Sequence, residues 1–224
     1  MVIDAVLFDF RGTLFNDESD ITWIRSSGAS IGRDLDDAEA GRILERLGVA
    51  ERAPEIAAAL QRCDTSLEVH RDANLAWFRA AGIDDDLAVA IWSRDGHPDA
   101  TYAFEDALPV MAAVRAAGRG VAVVSDIHYD IRDHFRRHDL DEFVDSYVLS
   151  CEHGIQKPDA EMFTLALDAL AVSSDRALMI GDTPANDGAA TKVGIQTFLL
   201  PGPFKAGRSG PRGLDAVLRL AEIS

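Results

Sequence analysis

The sequence of 224 residues predicts an α/β fold, with a parallel sheet covered by helices on both faces. One observation is the N-terminal run "VIDAVLFD", whose dense apolar and β-branched residues are typical of a strand buried on both sides. Another is the alternation of helix and strand patterns from about residue 104, which indicates parallel strands joined by crossover helices. The segment between these two regions has helical patterns only. The prediction is therefore a Rossmann-like core with an inserted all-helical cap domain.

Five helices are predicted in the inserted segment, separated by Gly, Pro and Asp signals. They are expected at 18–33, 37–48, 53–63, 66–82 and 85–94. We assign residues 16–100 to the cap, and residues 1–15 together with 101–224 to the core.

In the core, we expect strand 1 at residues 2–9 and four further strands. These lie at 120–125, 145–150, 176–181 and 195–200, with helices at 106–117, 130–138, 158–171 and 184–193. The stretch from Pro201 to Gly213, rich in Gly and Pro, is predicted to be a loop.

Composition excludes several partners. The formal net charge is -16 and the sequence pI is about 4.6, so nucleic acid and anionic membranes are not expected to bind. Cys63 and Cys151 form no CxxC pair, and the N-terminus has neither a basic region nor a long apolar run. We expect a cytoplasmic protein; its oligomeric state is not predicted.

Polar residues stand where the predicted strands end. Strand 1 ends at Asp9, the 120–125 strand ends at Ser125, the 145–150 strand is followed by Lys157, and the 176–181 strand is followed by Asp182. Ligands of open α/β sheets bind outside the carboxyl ends of the strands, so these side chains are expected to converge. Two carboxylates, a hydroxyl and an ammonium group suit Mg²⁺ and a phosphate, and a carboxylate can attack phosphorus.

Four motifs in this order resemble the haloacid dehalogenase superfamily of phosphotransferases and hydrolases, over nearly the whole chain. They are the Asp-x-x-Gly-Thr loop at 9–13, the strand-end Ser125, the Lys157-Pro158 pair opening a helix, and Gly181-Asp182 with Asn186-Asp187. The resemblance implies a phosphatase-like hydrolase with a helical cap.

The resemblance also implies roles for single residues. Asp9 would be the nucleophile that becomes an aspartyl-phosphate, and would ligate Mg²⁺ together with the backbone carbonyl of Arg11 and with Asp182. Asp187 would bind or orient a metal-bound water.

Three further residues would serve the phosphate. Ser125 would donate a hydrogen bond to a phosphoryl oxygen, and Asp126 beside it is a candidate substrate-binding residue. Lys157 would neutralise charge between Asp9 and the phosphate. The expected substrate is a small phosphorylated metabolite.

Arg11 departs from the pattern of the hydrolytic members, which carry an Asp two residues after the nucleophile as general acid and base. Arginine cannot exchange a proton near neutral pH, and loss of such a group costs about 10²–10⁴ in rate. Phosphoryl transfer could persist, with Arg11 stabilising charge or gripping an anionic substrate. The chemistry could instead be attack on carbon, as in the dehalogenases of the family. The pocket could also be a catalytically inactive binding site, with a regulatory or scaffold function. Finally, Arg11 could point to solvent or pair with a carboxylate of the cap.

One observation favours the phosphate interpretation over dehalogenation: "GDTPAND" keeps both acids of the metal motif. A phosphonate hydrolase of the family would need a lysine of the cap to form a Schiff base, and it is set aside because residues 14–100 contain no lysine. In the predicted cap, Arg25 is the first candidate for binding an anionic part of the substrate.

Overall fold

A computed structural model describes residues 2–202 and 205–223. The main sheet has five parallel strands, which are β1 (Ala5–Phe8), β4 (Gly120–Ser125), β5 (Ser146–Leu149), β6 (Ala177–Gly181) and β7 (Gln196–Leu199). Their order in the sheet is β5-β4-β1-β6-β7. All five are predicted by the sequence, and the Rossmann-like class is confirmed.

Helices cover both faces of the sheet because successive strand residues point to opposite sides. Val6 and Phe8 of β1 enter one buried apolar cluster, whereas Ala5 and Leu7 enter another. The helices of this region are α6 (Ala107–Ala116), α7 (Arg132–Arg137), α8 (Ser150–His153), α9 (Ala160–Leu170) and α10 (Asp215–Leu220). The segment Asp187–Val193, predicted to be an α-helix, is a 3₁₀ helix.

The five helices predicted after strand 1 are present. They are α1 (Asp20–Ser30), α2 (Asp37–Ala50), α3 (Pro54–Leu60), α4 (Leu67–Ala80) and α5 (Asp85–Arg94), with a short 3₁₀ turn at Cys63–Thr65. Side chains of Ser19, Asp36, Ser66 and Asp84 cap α1, α2, α4 and α5 by accepting bonds from backbone N–H groups. These helices enclose their own apolar cluster, which includes Ile24, Phe78 and Ile91. We call α1–α5 the helical segment.

A two-stranded antiparallel ribbon, missed by the sequence analysis, lies at both ends of the helical segment. It pairs β2 (Phe15–Asp17) with β3 (Thr101–Ala103). Each strand has three residues, too few for an alternating pattern to be recognised. The exact limits of the cap, at residues 16 and 100, stay a prediction.

Among the described residues, no helix has the length and apolar character needed to cross a membrane.

Candidate active site

The carboxyl ends of three neighbouring strands bring the predicted motifs together. β1 lies between β4 and β6, and Phe8 is in register with both Val123 and Ile180. Asp9 therefore leaves the sheet beside Ser125, the last residue of β4, and close to Asp182, which follows β6. Asp9 and Ser125 are buried.

Lys157 is the cation at the centre of this group. Its Nζ donates hydrogen bonds to Asp9 Oδ1 at 2.7 Å, to Asp187 Oδ1 at 2.6 Å and to the Val124 carbonyl at 3.2 Å. Burial disfavours the ammonium, but Asp9 and Asp187 outweigh it and hold the Lys157 pKa above its ordinary value. Lys157 therefore stays charged although the residue is only 3% exposed.

The loop that carries Lys157 differs from the prediction in one respect. Pro158 follows a cis Lys157-Pro158 peptide bond and lies outside the helix, whose N-cap is Asp159 and whose first residue is Ala160. Pro158 is thus not the first helical residue.

Three carboxylates lie close together here, and two of them, Asp9 and Asp187, pair with Lys157. Asp9, Asp182 and Asp187 each place one oxygen within 4.8 Å of the oxygens of the other two. Burial raises the pKa of Asp9, and Asp187 and Asp182 add to the rise although Lys157 opposes it. Asp9 and Asp187 are buried, and Asp182 lies 4.0 Å from a guanidinium nitrogen of Arg212. The all-oxygen donor set of the three carboxylates fits a hard divalent cation such as Mg²⁺.

Asp187 also organises the loop after β6. Its Oδ2 accepts hydrogen bonds from the backbone N–H groups of Asp182 and Thr183, at 3.0 and 2.9 Å. Its two oxygens are thus both used within the protein, so Asp187 positions Lys157 and this loop whether or not it also contacts a metal ion.

Two glycines of the motifs are required by this crowding. Gly12 has a φ of +74°, and a Cβ there would overlap the Asp182 carboxylate. A Cβ at Gly181 would overlap the Asp187 carboxylate. The glycines allow the two loops to approach, which keeps the carboxylates close together.

Asp126, predicted to bind substrate, accepts hydrogen bonds from two neighbouring loops. Its Oδ1 accepts from the Lys157 backbone N–H at 2.8 Å, and its Oδ2 accepts from Asn186 Nδ2 at 3.0 Å. The side chain thereby fixes the loops that carry Lys157 and Asp187. Binding of substrate by Asp126 stays a prediction.

Arg11 points toward the helical segment and pairs with carboxylates. Its guanidinium donates to Asp95 at 2.5 Å and to the Tyr129 hydroxyl at 3.2 Å, and its Nε lies 3.3 Å from Asp17 Oδ2. Burial opposes the charge of Arg11, but Asp17 and Asp95 outweigh it and raise its pKa. The sequence left several alternatives open for Arg11. In the structure its side chain pairs with carboxylates of the segment 16–100, namely those of Asp17 and Asp95. The charge of Arg11 is already matched, and position 11 offers no exchangeable proton.

Arg25 is not brought to this site. Its guanidinium donates to the Leu35 carbonyl and to Asp37, between α1 and α2, and its side chain is 49% exposed. The side chain of Arg25 thus contacts the start of α2, and the periodicity of one helix could not reveal which face the core would meet.

A cavity of about 260 Å³ lies beside Arg11, between the ribbon and the helical segment. Trp23 and Trp77 form part of its wall, and Arg94 is neutralised there by a bidentate pair with Glu18. The lining of this cavity thus combines aromatic and charged side chains next to Arg11.

Sequence reasoning missed Arg212 because it lies in a loop with Gly and Pro on either side. The residue is only 6% exposed. Its Nε donates to the Gly12 carbonyl at 2.5 Å, and another guanidinium nitrogen donates to the Pro201 carbonyl at 2.9 Å. Arg212 therefore braces the nucleophile loop from the C-terminal region, and only the fold reveals this contact.

Comparisons with known proteins agree with this geometry. The profile of the haloacid dehalogenase-like hydrolase family matches residues 3–194, and the chain belongs to this family of hydrolases. Over 103 residues it is 33% identical to the mouse protein Acyl-CoA dehydrogenase family member 10, a stretch that is 44% of the chain and 10% of that relative. The chain thus spans about a tenth of the length of the curated relative that it matches.

Solved structures show the same fold across the chain. A putative haloacid dehalogenase-type hydrolase from Bacillus subtilis, YfnB, bound to magnesium, matches with a TM-score of 0.71 at 16% identity, covering 100% of both chains. A phosphatase of this superfamily from Thermococcus onnurineus matches with a TM-score of 0.63 at 19% identity, covering 97% of each chain. Other matched structures include dehalogenases. At these identities the likeness shows the fold, and the chain is an enzyme of the hydrolase class by its family.

Proposed function

We propose that this hydrolase removes or transfers the phosphoryl group of a small phosphorylated metabolite, with Mg²⁺, through an aspartyl-phosphate at Asp9. The observation that carries the proposal is the cluster of Asp9, Asp182 and Asp187, two of which, Asp9 and Asp187, are buried and pair with Lys157. Asp9, Asp182 and the backbone carbonyl of Arg11 would hold Mg²⁺, which when bound supplies positive charge to the phosphoryl oxygens.

In the proposed reaction, a carboxylate oxygen of Asp9 forms a bond to phosphorus while the bond to the ester oxygen breaks. Lys157 lies against that carboxylate and neutralises the charge of the incoming phosphate. Ser125 would donate a hydrogen bond to a phosphoryl oxygen from the end of β4. Water then cleaves the aspartyl-phosphate, which releases phosphate and restores Asp9.

We propose a reducing compartment for the enzyme. Cys63 and Cys151 are both unpaired, and the negative charge of the chain disfavours anionic polymers and membranes. We place the enzyme in the cytoplasm, acting on a small molecule.

One observation favours a second candidate. Arg11 supplies no proton to a leaving group, and a halide leaves carbon without needing one. A dehalogenase that attacks carbon through Asp9 would therefore tolerate Arg11. Such a reaction has no need for the three carboxylates that fit Mg²⁺, so we prefer phosphoryl transfer.

A screen of phosphorylated metabolites and 2-haloacids tests both candidates. Phosphate release should require Mg²⁺, stop in EDTA and be lost in Asp9→Asn, while Asp168→Asn, on the exposed face of α9, keeps the rate. Halide release without Mg²⁺ would support the second candidate instead. Substrate binding with no turnover of any compound would indicate a binding protein and contradict both.

A further inference from the structure

The cavity beside Arg11 has a lining in which acids outnumber bases. Its described wall carries four carboxylates and two guanidinium groups, which are those of Asp17, Glu18, Asp20, Asp95, Arg11 and Arg94. Arg11 pairs with Asp95 and Asp17. Arg94 forms a bidentate pair with Glu18. Both cations are therefore matched within the protein, and the described wall has two more negative charges than positive ones.

We infer that this cavity binds a small organic molecule through a primary ammonium group. Its volume of about 260 Å³ is far above the roughly 15 Å³ that a single water molecule needs. A concave wall with a surplus of one sign of charge attracts the opposite sign. An anionic ligand would instead meet carboxylates, because both arginines of the wall are already paired with them.

Two tryptophans give the cavity aromatic walls. Trp23 comes from α1 and Trp77 from α4. The Trp77 indole N–H donates to the Leu47 carbonyl at 2.9 Å, so this side chain offers the cavity ring atoms and no free donor. Aromatic rings attract cations through the negative potential of their π-systems, and the indole ring does so most strongly. The aromatic walls and the surplus of carboxylates thus favour the same class of ligand.

A buried amide on the same wall has an acceptor atom without a donor. Asn74 of α4 lines the cavity and is 9% exposed. Its Nδ2 donates to the His70 carbonyl at 2.9 Å and lies 3.1 Å from His70 Nε2. A carbonyl only accepts, so this contact fixes which end of the amide is nitrogen, and Oδ1 has no partner among the described residues. A primary ammonium ion can donate an N–H to Oδ1, whereas a quaternary one cannot.

Asp20 is the lining carboxylate that can pair with such a ligand most readily. It is the first residue of α1, it is exposed, and it has no ion-pair partner in the described part of the chain. The other three carboxylates of the wall contact Arg11 or Arg94. A ligand with one positive charge can therefore pair with Asp20 while every ion pair of the protein stays intact. Asp20→Asn removes this charge and keeps the size of the side chain.

The position of the cavity allows two sources for the ammonium group. Arg11, in its wall, follows Asp9 by two residues, so their Cα atoms are at most about 7 Å apart. One source is the substrate itself, as a phosphate ester whose alcohol carries an ammonium group; this source rests on the proposed function. The other is a separate small amine that binds beside Asp9 and uses the same contacts.

Nuclear magnetic resonance of the ¹⁵N-labelled protein tests the site itself. The chain has three tryptophans, and Trp92 is not part of the described lining. Butylammonium chloride should shift the indole N–H signals of Trp23 and Trp77 more than that of Trp92. It should bind about 5–30-fold more tightly than 1-butanol, which has a similar size and no charge. Sodium butyrate, an anion of similar size, should bind more weakly than either.

Matched variants show whether the charge of the wall is responsible. Asp20→Asn should weaken the binding of butylammonium and leave that of 1-butanol unchanged. Asp168→Asn, on the exposed face of α9, should change neither. No binding of butylammonium, equal affinities for the three probes, or shifts confined to Trp92 would overturn the inference. The comparison of probes uses the wild-type protein, so the result does not depend on the folding of a variant.

Two phosphate esters distinguish the sources. If the ammonium group belongs to the substrate, 4-aminobutyl phosphate should have a kcat/KM with Mg²⁺ about 5–30-fold above that of pentyl phosphate, in which a methyl group replaces the ammonium. Asp20→Asn should reduce this preference. Equal kcat/KM values, with butylammonium still bound at Trp23 and Trp77, would support the site and assign it to a separate amine. Absence of Mg²⁺-dependent turnover of any phosphate ester would contradict the proposed function, while the binding of butylammonium would still decide the inference.

Discussion

At the scale of single residues, the charge balance of the site depends on Lys157. One ammonium group faces Asp9 and Asp187 in a region closed to water, and the Val124 carbonyl accepts its third hydrogen bond. A buried ion pair contributes little net stability, but removing one partner is costly because the other charge stays buried and unpaired.

Lys157→Met should therefore destabilise the protein by about 3–5 kcal/mol in the absence of Mg²⁺, since two buried carboxylates lose their counterion. Urea unfolding at pH 8 measures the change. Lys192→Met, at an exposed position of the 3₁₀ helix after β6, should stay within about 0.5 kcal/mol of the wild-type protein. A Lys157→Met protein as stable as the control would contradict the account of the charges.

Arg11 shows what the sequence could and could not predict about a single residue. Its departure from the family pattern is visible in the motif, and so is the loss of an exchangeable proton. Its partner Asp95 lies 84 positions away and belongs to no motif, so only the packing of α5 against the core reveals the pair.

At the scale of elements, Arg11 is one of the residues through which the helical segment contacts the core. The guanidinium joins the loop after β1 to Asp95, which follows α5, and to Asp17 in the ribbon. Replacing Arg11 by Asp would put a third carboxylate beside these two. Restoring the acid of the family therefore requires Asp95→Asn in the same protein, a condition that the sequence did not suggest.

A double-mutant cycle with Arg11→Met and Asp95→Asn should give a coupling energy of about 1–3 kcal/mol, because the pair is partly shielded from solvent. The free energy of unfolding is measured in urea at pH 7 for the wild-type protein, the two single variants and the double variant. The exposed pair Arg219 and Asp215 on α10 is the matched control and should couple by less than about 0.5 kcal/mol. Equal coupling in the two pairs would mean that Arg11 does not join these elements.

The pH dependence of stability tests the neutral state of His70 in α4. In the unfolded chain, His70 takes up a proton near its ordinary pKa of 6.5, whereas in the folded protein its pKa is lowered to about 4. The unfolding free energy should thus fall as the pH drops from about 6.5 toward 4.

His70→Gln should reduce the slope of the unfolding free energy against pH by up to the contribution of about one bound proton. Urea unfolding between pH 4.5 and 7 measures this slope. An unchanged slope in His70→Gln would show that His70 is not held neutral in the folded protein.

At the scale of the whole molecule, the sequence predicted the parallel sheet, its five strands and the five inserted helices. Those elements have strong local patterns, and each strand-end motif could be recognised from its position after an apolar run. The contacts between distant loops could not be predicted: Arg212 bracing Gly12, Asp126 joined to Asn186, and His128 stacked on His70. Such contacts depend on how the helical segment and the C-terminal loop pack on the sheet.

Trapping the aspartyl-phosphate tests the central claim most directly. The protein is incubated with dinitrophenyl phosphate and Mg²⁺, quenched, and treated with borohydride, which reduces an aspartyl-phosphate to homoserine. Mass spectrometry should locate homoserine at position 9, only when Mg²⁺ is present, and not in Asp9→Asn. An unmodified peptide around Asp9 during continuing turnover, or homoserine at another aspartate, would contradict the claim that Asp9 is the phosphoryl acceptor.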